Sequence, residues 1–200
     1  MLRALDVALI ALFAALTSVG AFISIPMFPV PITLQTFFIL LAGVILGKRL
    51  GALSQILYTL LGVVGLPIFA RGTAGFGVLI GPTGGYLIGF VVGVFVLGAL
   101  VEFRERQRGK VGFWWTALSM VIATVIIYAL GVVHLHFVLN TFLGVNVTWL
   151  GAITLGVLPF LVGDALKILV ASYICNSKQI KTMRTIILGA VQNRIKKQVD

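Results

Sequence analysis

The feature that most limits this chain is a succession of apolar runs whose charges gather almost entirely at their ends. The runs cover residues 4–25, 32–46, 50–69, 81–101, 113–133 and 150–174. At 1.5 Å per residue, a helix of about twenty residues crosses a hydrocarbon layer about 30 Å thick. Only 10% of the chain is charged and 60% is hydrophobic, whereas soluble domains carry about 25% charged residues. No water-soluble core could absorb that much apolar surface, so lipid is the solvent. The runs are continuous rather than alternating, which selects helices over a β-barrel. The expected fold is all-α: a polytopic membrane protein with six transmembrane helices spread over residues 1–176, followed by a basic, amphipathic tail over residues 177–200.

The charges orient the bundle. With the N-terminus in the cytoplasm and six crossings, the inner side receives Arg3, Lys48, Arg49, Arg104, Arg106, Arg108, Lys110, Lys178, Lys181, Arg184, Arg194, Lys196 and Lys197. Those are thirteen of the fifteen cations. The positive-inside rule therefore places both termini in the cytoplasm. The net charge of +10 becomes a signal for topology and for anionic lipid, not for nucleic acid. The lone Cys175 excludes an intrachain disulfide and reads as an apolar filler.

Smaller signals refine the bundle. Ala4/Ala8 and Ala11/Ala15 are small-xxx-small pairs on the first helix, suited to close packing within the fold or against another membrane subunit. Gly81, Gly85, Gly89 and Gly93 form a ridge without side chains, which predicts a close helix contact. Trp114 and Trp115 suit an interfacial anchor. Residues 102–110 read as a charged loop and residues 134–148 as an outer connector. In the tail, Ile180, Met183, Ile187, Val191 and Ile195 recur at helical spacing.

Asp164 and Lys167 break the pattern. They lie inside the last apolar run, three residues apart, so a helix puts them on one face. A charge at the bilayer centre costs about 2.5–3.5 kcal/mol on insertion scales, and such residues face a cavity or the protein interior. The topology sorts Thr33, Gln35, Arg71, Thr83, Tyr86, Asn140 and Trp149 toward the outer side. The simplest arrangement is a cavity open outward and floored by the Asp164/Lys167 pair.

Enzyme chemistry finds no support. No G-x-x-x-x-G-K-[ST] sequence occurs, and the glycine-rich 72–77 and 81–85 segments lack its lysine. A single intramembrane carboxylate argues against an aspartyl-type protease. His134 and His136, two residues apart, do not share a helix face and make no metal site alone. No catalytic constellation and no cofactor is expected.

The segments PVPITLQT (29–36), GKRLGALSQILYTLLGVVGLPIFA (47–70), GPTGGYLIGF (81–90) and PFLVGDALK (159–167), in this order, resemble the BioY family of biotin-binding substrate-capture (S) components of energy-coupling factor (ECF) transporters. The resemblance implies a six-helix S-component-like bundle in a bacterial inner (plasma) membrane. It implies a small-residue first helix (Ala4, Ala8, Ala11, Ala15) docked on a transmembrane coupling (T) subunit, with ATP-binding cassette ATPases supplying energy. It maps biotin contacts onto Asp164 and Lys167, and sets the glycine-rich outer loop, including Gly75, near the ligand. The chemistry of biotin agrees. Asp164 can accept from a ureido N–H, Lys167 can donate to the ureido oxygen or neutralise Asp164, and Arg71 can pair with the carboxylate. Tyr86, Phe76 and Trp149 suit the apolar part, with Thr33 and Gln35 nearby on the outer side. The alternative is a solitary secondary transporter of biotin or a related small organic acid.

Overall fold

The computed structural model describes residues 3–199. Helix α1 (Ala4–Phe22) leads into a two-stranded antiparallel ribbon, β1 (Ser24–Ile25) with β2 (Ile32–Thr33). Then follow α2 (Gln35–Val64), the single turn α3 (Gly77–Ile80), α4 (Gly84–Arg108), α5 (Phe113–Thr141), α6 (Trp149–Gly156), α7 (Leu161–Cys175) and α8 (Lys178–Val199). Five segments are long and apolar enough to cross a membrane: α1, α2, α4, α5, and α6 with α7 taken together.

Helix α2 is a hairpin in disguise. Gly47 sits at φ 75, ψ −178, outside helical geometry, in a region that disfavours residues with a Cβ. The chain reverses there. The Gln35 amide donates to the Tyr58 hydroxyl at 2.8 Å, whereas a straight helix would separate the two by about 34 Å. The two arms correspond to the second and third apolar runs. Glu102 of α4 steadies the turn: its Oε1 accepts from the Lys48 backbone N–H at 3.0 Å and its Oε2 lies 3.6 Å from the Lys48 ammonium.

In lipid, burying apolar side chains drives helix association weakly, so close packing of small residues does more of the work. The glycine ridge shows this. A Cβ on Gly89 would lie 2.9 Å from the Ile127 Cα, and one on Gly85 would lie 2.5 Å from the Leu130 carbonyl oxygen. Gly85, Gly89 and Gly93 of the ridge are therefore the α4–α5 contact, whereas Gly81 precedes α4 and a Cβ there would meet the Gly77 carbonyl oxygen of α3. Gly98 does the same between α4 and the Gly47 turn, where a Cβ would come within 2.3 Å of the Lys48 backbone nitrogen.

Several expected boundaries move. The charged stretch 102–108 is the last two turns of α4, not a loop. His134 to Asn140 continue α5, so the outer connector shrinks to 142–148. There Asn140 holds the returning chain, its Nδ2 donating to the Val147 carbonyl and its Oδ1 accepting from the Val147 N–H, both at 3.0 Å. The last apolar run is not one helix. Its Pro159 lies in a short 3-10 turn between α6 and α7, and α7 starts afresh at Leu161. Proline lacks the N–H that would continue α6 and its ring clashes with the preceding turn.

The tail also departs from a free surface helix. Ile187 is buried in the core cluster and Ile180 packs against it; the side chains of Val191 and Ile195 lie outside the described residues. Arg184 is 5% exposed, and its Nη1 donates to Glu105 Oε1 at 3.2 Å while Nη2 lies 3.0 Å from Oε2. Burial pulls the guanidinium's affinity for its proton down, while Glu105 and Glu102 push it back up. Arg184→Met is expected to leave the α1–α7 bundle folded while loosening α8. Limited proteolysis should then cut the tail several-fold faster, and an unchanged rate would show that the apolar contacts alone hold it.

On α1, Asp6, Ile10, Phe13, Ala14, Thr17, Gly20 and Ala21 face inward, while Ala4, Ala8, Ala11 and Ala15 are all exposed. The fold thus leaves the small-residue stripe uncovered. Cys175 is buried among apolar neighbours, as a filler should be. The two tryptophans part company: Trp114 is 79% exposed, while the Trp115 indole donates to the Leu100 carbonyl at 3.2 Å with the Arg104 guanidinium stacked over its ring.

Candidate binding site

The break at Pro159 builds the site. Because α7 begins at Leu161, Asp164 falls in the first turn of a helix, where unpaired backbone N–H groups favour negative charge. A broken helix at membrane depth is tolerated where it lines a cavity. Here it lines one of about 690 Å³, at the end of the bundle remote from the Gly47 turn. The walls come from the 26–31 loop, the start of α2, the 69–74 loop, α3, the first turns of α4, the middle of α5 and α7.

Asp164 and Lys167 form the floor. Asp164 is 4% exposed. The Lys167 ammonium has three protons and finds three acceptors: Asp164 Oδ1 at 2.7 Å, the Thr33 carbonyl at 2.7 Å and the Thr36 hydroxyl at 3.0 Å. Thr36 in turn donates to Asp164 Oδ1 at 2.9 Å. The Tyr128 hydroxyl donates to Asp164 Oδ2. A buried ion pair repays its desolvation only when its remaining valences are also bonded, and residues from β2, α2, α5 and α7 supply those partners for all but one acceptor position, on Asp164 Oδ2.

A second polar group lies beside the first. Thr33 donates to the Gln35 amide oxygen at 3.0 Å, Gln35 donates to Tyr58 at 2.8 Å, and Tyr58 donates to the Ile68 carbonyl at 3.3 Å. Tyr58, Phe69, Tyr86, Leu87, Phe90, Ile127 and Phe160 supply aromatic and apolar wall. The Tyr86 ring faces the cavity, but its hydroxyl is committed to the Gly156 carbonyl at 2.8 Å, tying α4 to α6. Arg71 stands exposed on the cavity rim and forms no ion pair among the described residues. Its backbone, at φ 63, is left-handed, which costs an L-residue about 1–2 kcal/mol.

Six of the expected ligand residues thus converge on one cavity: Thr33, Gln35, Arg71, Tyr86, Asp164 and Lys167. Gly75, Phe76 and Trp149 do not line it. Gly75 sits at φ 94 and its N–H donates to the Gly62 carbonyl at 2.7 Å, so it shapes the loop behind the wall. Phe76 is 61% exposed. Trp149 stacks on His136 of α5, ring centroids 3.8 Å apart, because α5 runs two turns further than its hydropathy suggests. Tyr128 and Thr36 escape a sequence reading as site residues. A tyrosine in the middle of an apolar run, away from the interface where tyrosines gather, is the signal that points to the first. For Thr36 only its place in the proline-rich motif does.

The cavity is of ordinary ligand-site size. Its floor offers a fixed carboxylate, its walls are aromatic and its rim carries a free guanidinium. That set suits a small molecule with an N–H donor at one end, an apolar body and an anionic group at the other. No cluster of three His, Cys, Asp or Glu residues occurs among the described residues.

Comparison with known proteins points the same way. The model of the family described as "BioY family" matches residues 1–184. The chain is 46% identical over 163 residues to the biotin transporter BioY of Thermotoga maritima, covering 82% of this chain and 89% of that protein. It is 42% identical over 178 residues to a probable biotin transporter BioY of Pyrococcus horikoshii, covering 89% and 98%. The fold is like that of a crystal structure of the S-component for biotin from an ECF-type ABC transporter, with a TM-score of 0.73 at 23% identity, over 90% of this chain and 89% of that one.

Proposed function

This chain belongs to the BioY family, and from that premise we propose that it captures biotin from the outer face of the membrane as the substrate-specific subunit of an ATP-driven ECF-type importer. The observation that carries the reading is the Asp164 carboxylate, paired with Lys167 at 2.7 Å at the floor of an otherwise aromatic cavity. Biotin's ureido ring supplies N–H donors and a carbonyl, its bicycle and chain are apolar, and its far end is a carboxylate. The ureido ring belongs at the floor, against Asp164 and Lys167. The body lies along Tyr86, Phe90 and Phe160. The carboxylate reaches the rim, where Arg71 can hold it through two parallel hydrogen bonds.

The orientation and the partners belong to the same proposal. The cavity lies at one end of the bundle and the cation-rich segments 48–49, 104–110 and 178–184 at the other, so the positive-inside rule turns the cavity outward in a plasma membrane crossed six times. No phosphate-binding P-loop sequence is present in the chain; in this reading separate ATPases drive import through a coupling subunit. The exposed stripe Ala4, Ala8, Ala11 and Ala15 is the surface that subunit would meet.

Equilibrium binding of labelled biotin to the purified protein tests the capture step; no binding at nanomolar to micromolar ligand would sink it. Uptake into proteoliposomes by this chain alone, without any ATPase, would instead make it a solitary carrier. Arg71→Gln is expected to weaken biotin by about tenfold, the worth of a charge-assisted pair at an exposed rim. It should leave the binding of biotin amides nearly unchanged, because they carry no anion there. Equal losses for acid and amide would move the carboxylate away from Arg71.

A further inference from the structure

We infer that Thr36 and Tyr128 are positioning residues for Asp164, and that with Lys167 they leave one acceptor position on its carboxylate, on Oδ2, for the ligand. An ionised carboxylate offers about four lone-pair directions. Lys167 and Thr36 fill those of Oδ1, at 2.7 and 2.9 Å. Tyr128 fills one on Oδ2. One remains, on a group that lines the cavity.

The torsion that turns a carboxylate is soft, with no sharp rotamer of its own. Asp164 therefore owes its orientation to its donors. These stand on three elements: Thr36 on the first turn of α2, Tyr128 in the middle of α5 and Lys167 on α7 itself. Together they fix both the rotation of the carboxylate and its depth. Thr36 serves twice, since it also accepts from Lys167 at 3.0 Å. Removing its hydroxyl frees one of the two Oδ1 positions and deprives the ammonium of an acceptor in one step. As to ligand, the inference rests on biotin capture.

Three variants test it: Thr36→Val, Tyr128→Phe, and Thr36→Ser as the conservative control. The first readout needs no ligand. In infrared difference spectra of ligand-free protein against Asp164→Asn, the Asp164 carboxylate stretch should shift in Thr36→Val and in Tyr128→Phe and stay in place in Thr36→Ser. The second is biotin affinity. Thr36→Val and Tyr128→Phe should each weaken it by roughly tenfold, with Thr36→Ser near the unmodified value. In the Asp164→Asn background the same two changes should alter affinity by less than about twofold, because nothing remains for them to position. A carboxylate band that neither variant moves would overturn the inference. So would a loss of affinity that is as large in the Asp164→Asn background, since it would mean direct contact with ligand. If the unmodified protein bound no biotin, the capture reading would fall while the infrared arm still decided the positioning.

Discussion

Replacing Asp164 by Asn is expected to weaken biotin binding by about two to three orders of magnitude while the bundle still folds and unfolds in one transition, at a lower midpoint because Lys167 loses its buried counter-ion. The size follows from what the change strands. The amide keeps the shape but loses the charge, and Lys167, whose side chain is only 12% exposed, loses its counter-ion. Losing the ligand's hydrogen bond to a charged acceptor costs about 1.5–3 kcal/mol and leaving its buried donor unsatisfied adds about 1–3 kcal/mol, and each 1.4 kcal/mol is about tenfold. An amide nitrogen turned toward the ligand would also oppose a ureido N–H, donor against donor. The fold should survive because the main packing surfaces, α1 on α2, α2 on α4 and α4 on α5, do not involve this residue. Titration with labelled biotin, beside a thermal melt in the same detergent, separates the two effects. Unchanged affinity would make the pair a structural strut and return the ligand contacts to the Gln35–Tyr58 side of the cavity.

The second large effect is on stability. Gly89→Val is expected to destabilise the bundle by about 2–3 kcal/mol, the cost of overpacking a tight contact. A Cβ at this position meets the Ile127 Cα at 2.9 Å and its carbonyl oxygen at 3.1 Å. Both are backbone atoms, which cannot swing aside as a side chain would, so α4 and α5 must separate. The same movement shifts Tyr86, Phe90, Ile127 and Tyr128 along the cavity wall, so affinity should fall with stability. Gly77→Ala offers a control for stability, since a Cβ there meets nothing within 4 Å. A melt of Gly89→Val that matches the unmodified protein would show that the two helices can repack at no cost.

Much of the architecture is legible before any coordinates. Hydropathy and charge placement delimit the apolar passes because lipid forbids unpaired backbone and buried charge alike. The glycine ridge announces the α4–α5 contact for the same kind of reason: only a small residue lets two backbones come that close. The boundaries that shift are those where hydropathy carries no information. Arg104, Glu105 and Arg106 extend α4 because long polar side chains cost a helix nothing at its aqueous end. His134 and His136 extend α5 because tertiary partners, Trp149 and the Gly81 carbonyl, accept them.

The site divides in a similar way. By itself the sequence determines that Asp164 and Lys167 share a helix face inside the membrane, and that a pair so placed serves a cavity or a protein interior, because a bilayer penalises any other fate. Only the tertiary structure decides what surrounds them. Thr36 lies 128 residues from Asp164, and Tyr128 lies 36 from it. Their convergence depends on the reversal at Gly47 and the break at Pro159, which set the register of α2, α5 and α7 against one another. Periodicity along the chain fixes which residues share a face; it says nothing about which faces meet. That is why Trp149 and Gly75 fall outside the cavity, and why the donors that orient the carboxylate come from elsewhere in the fold.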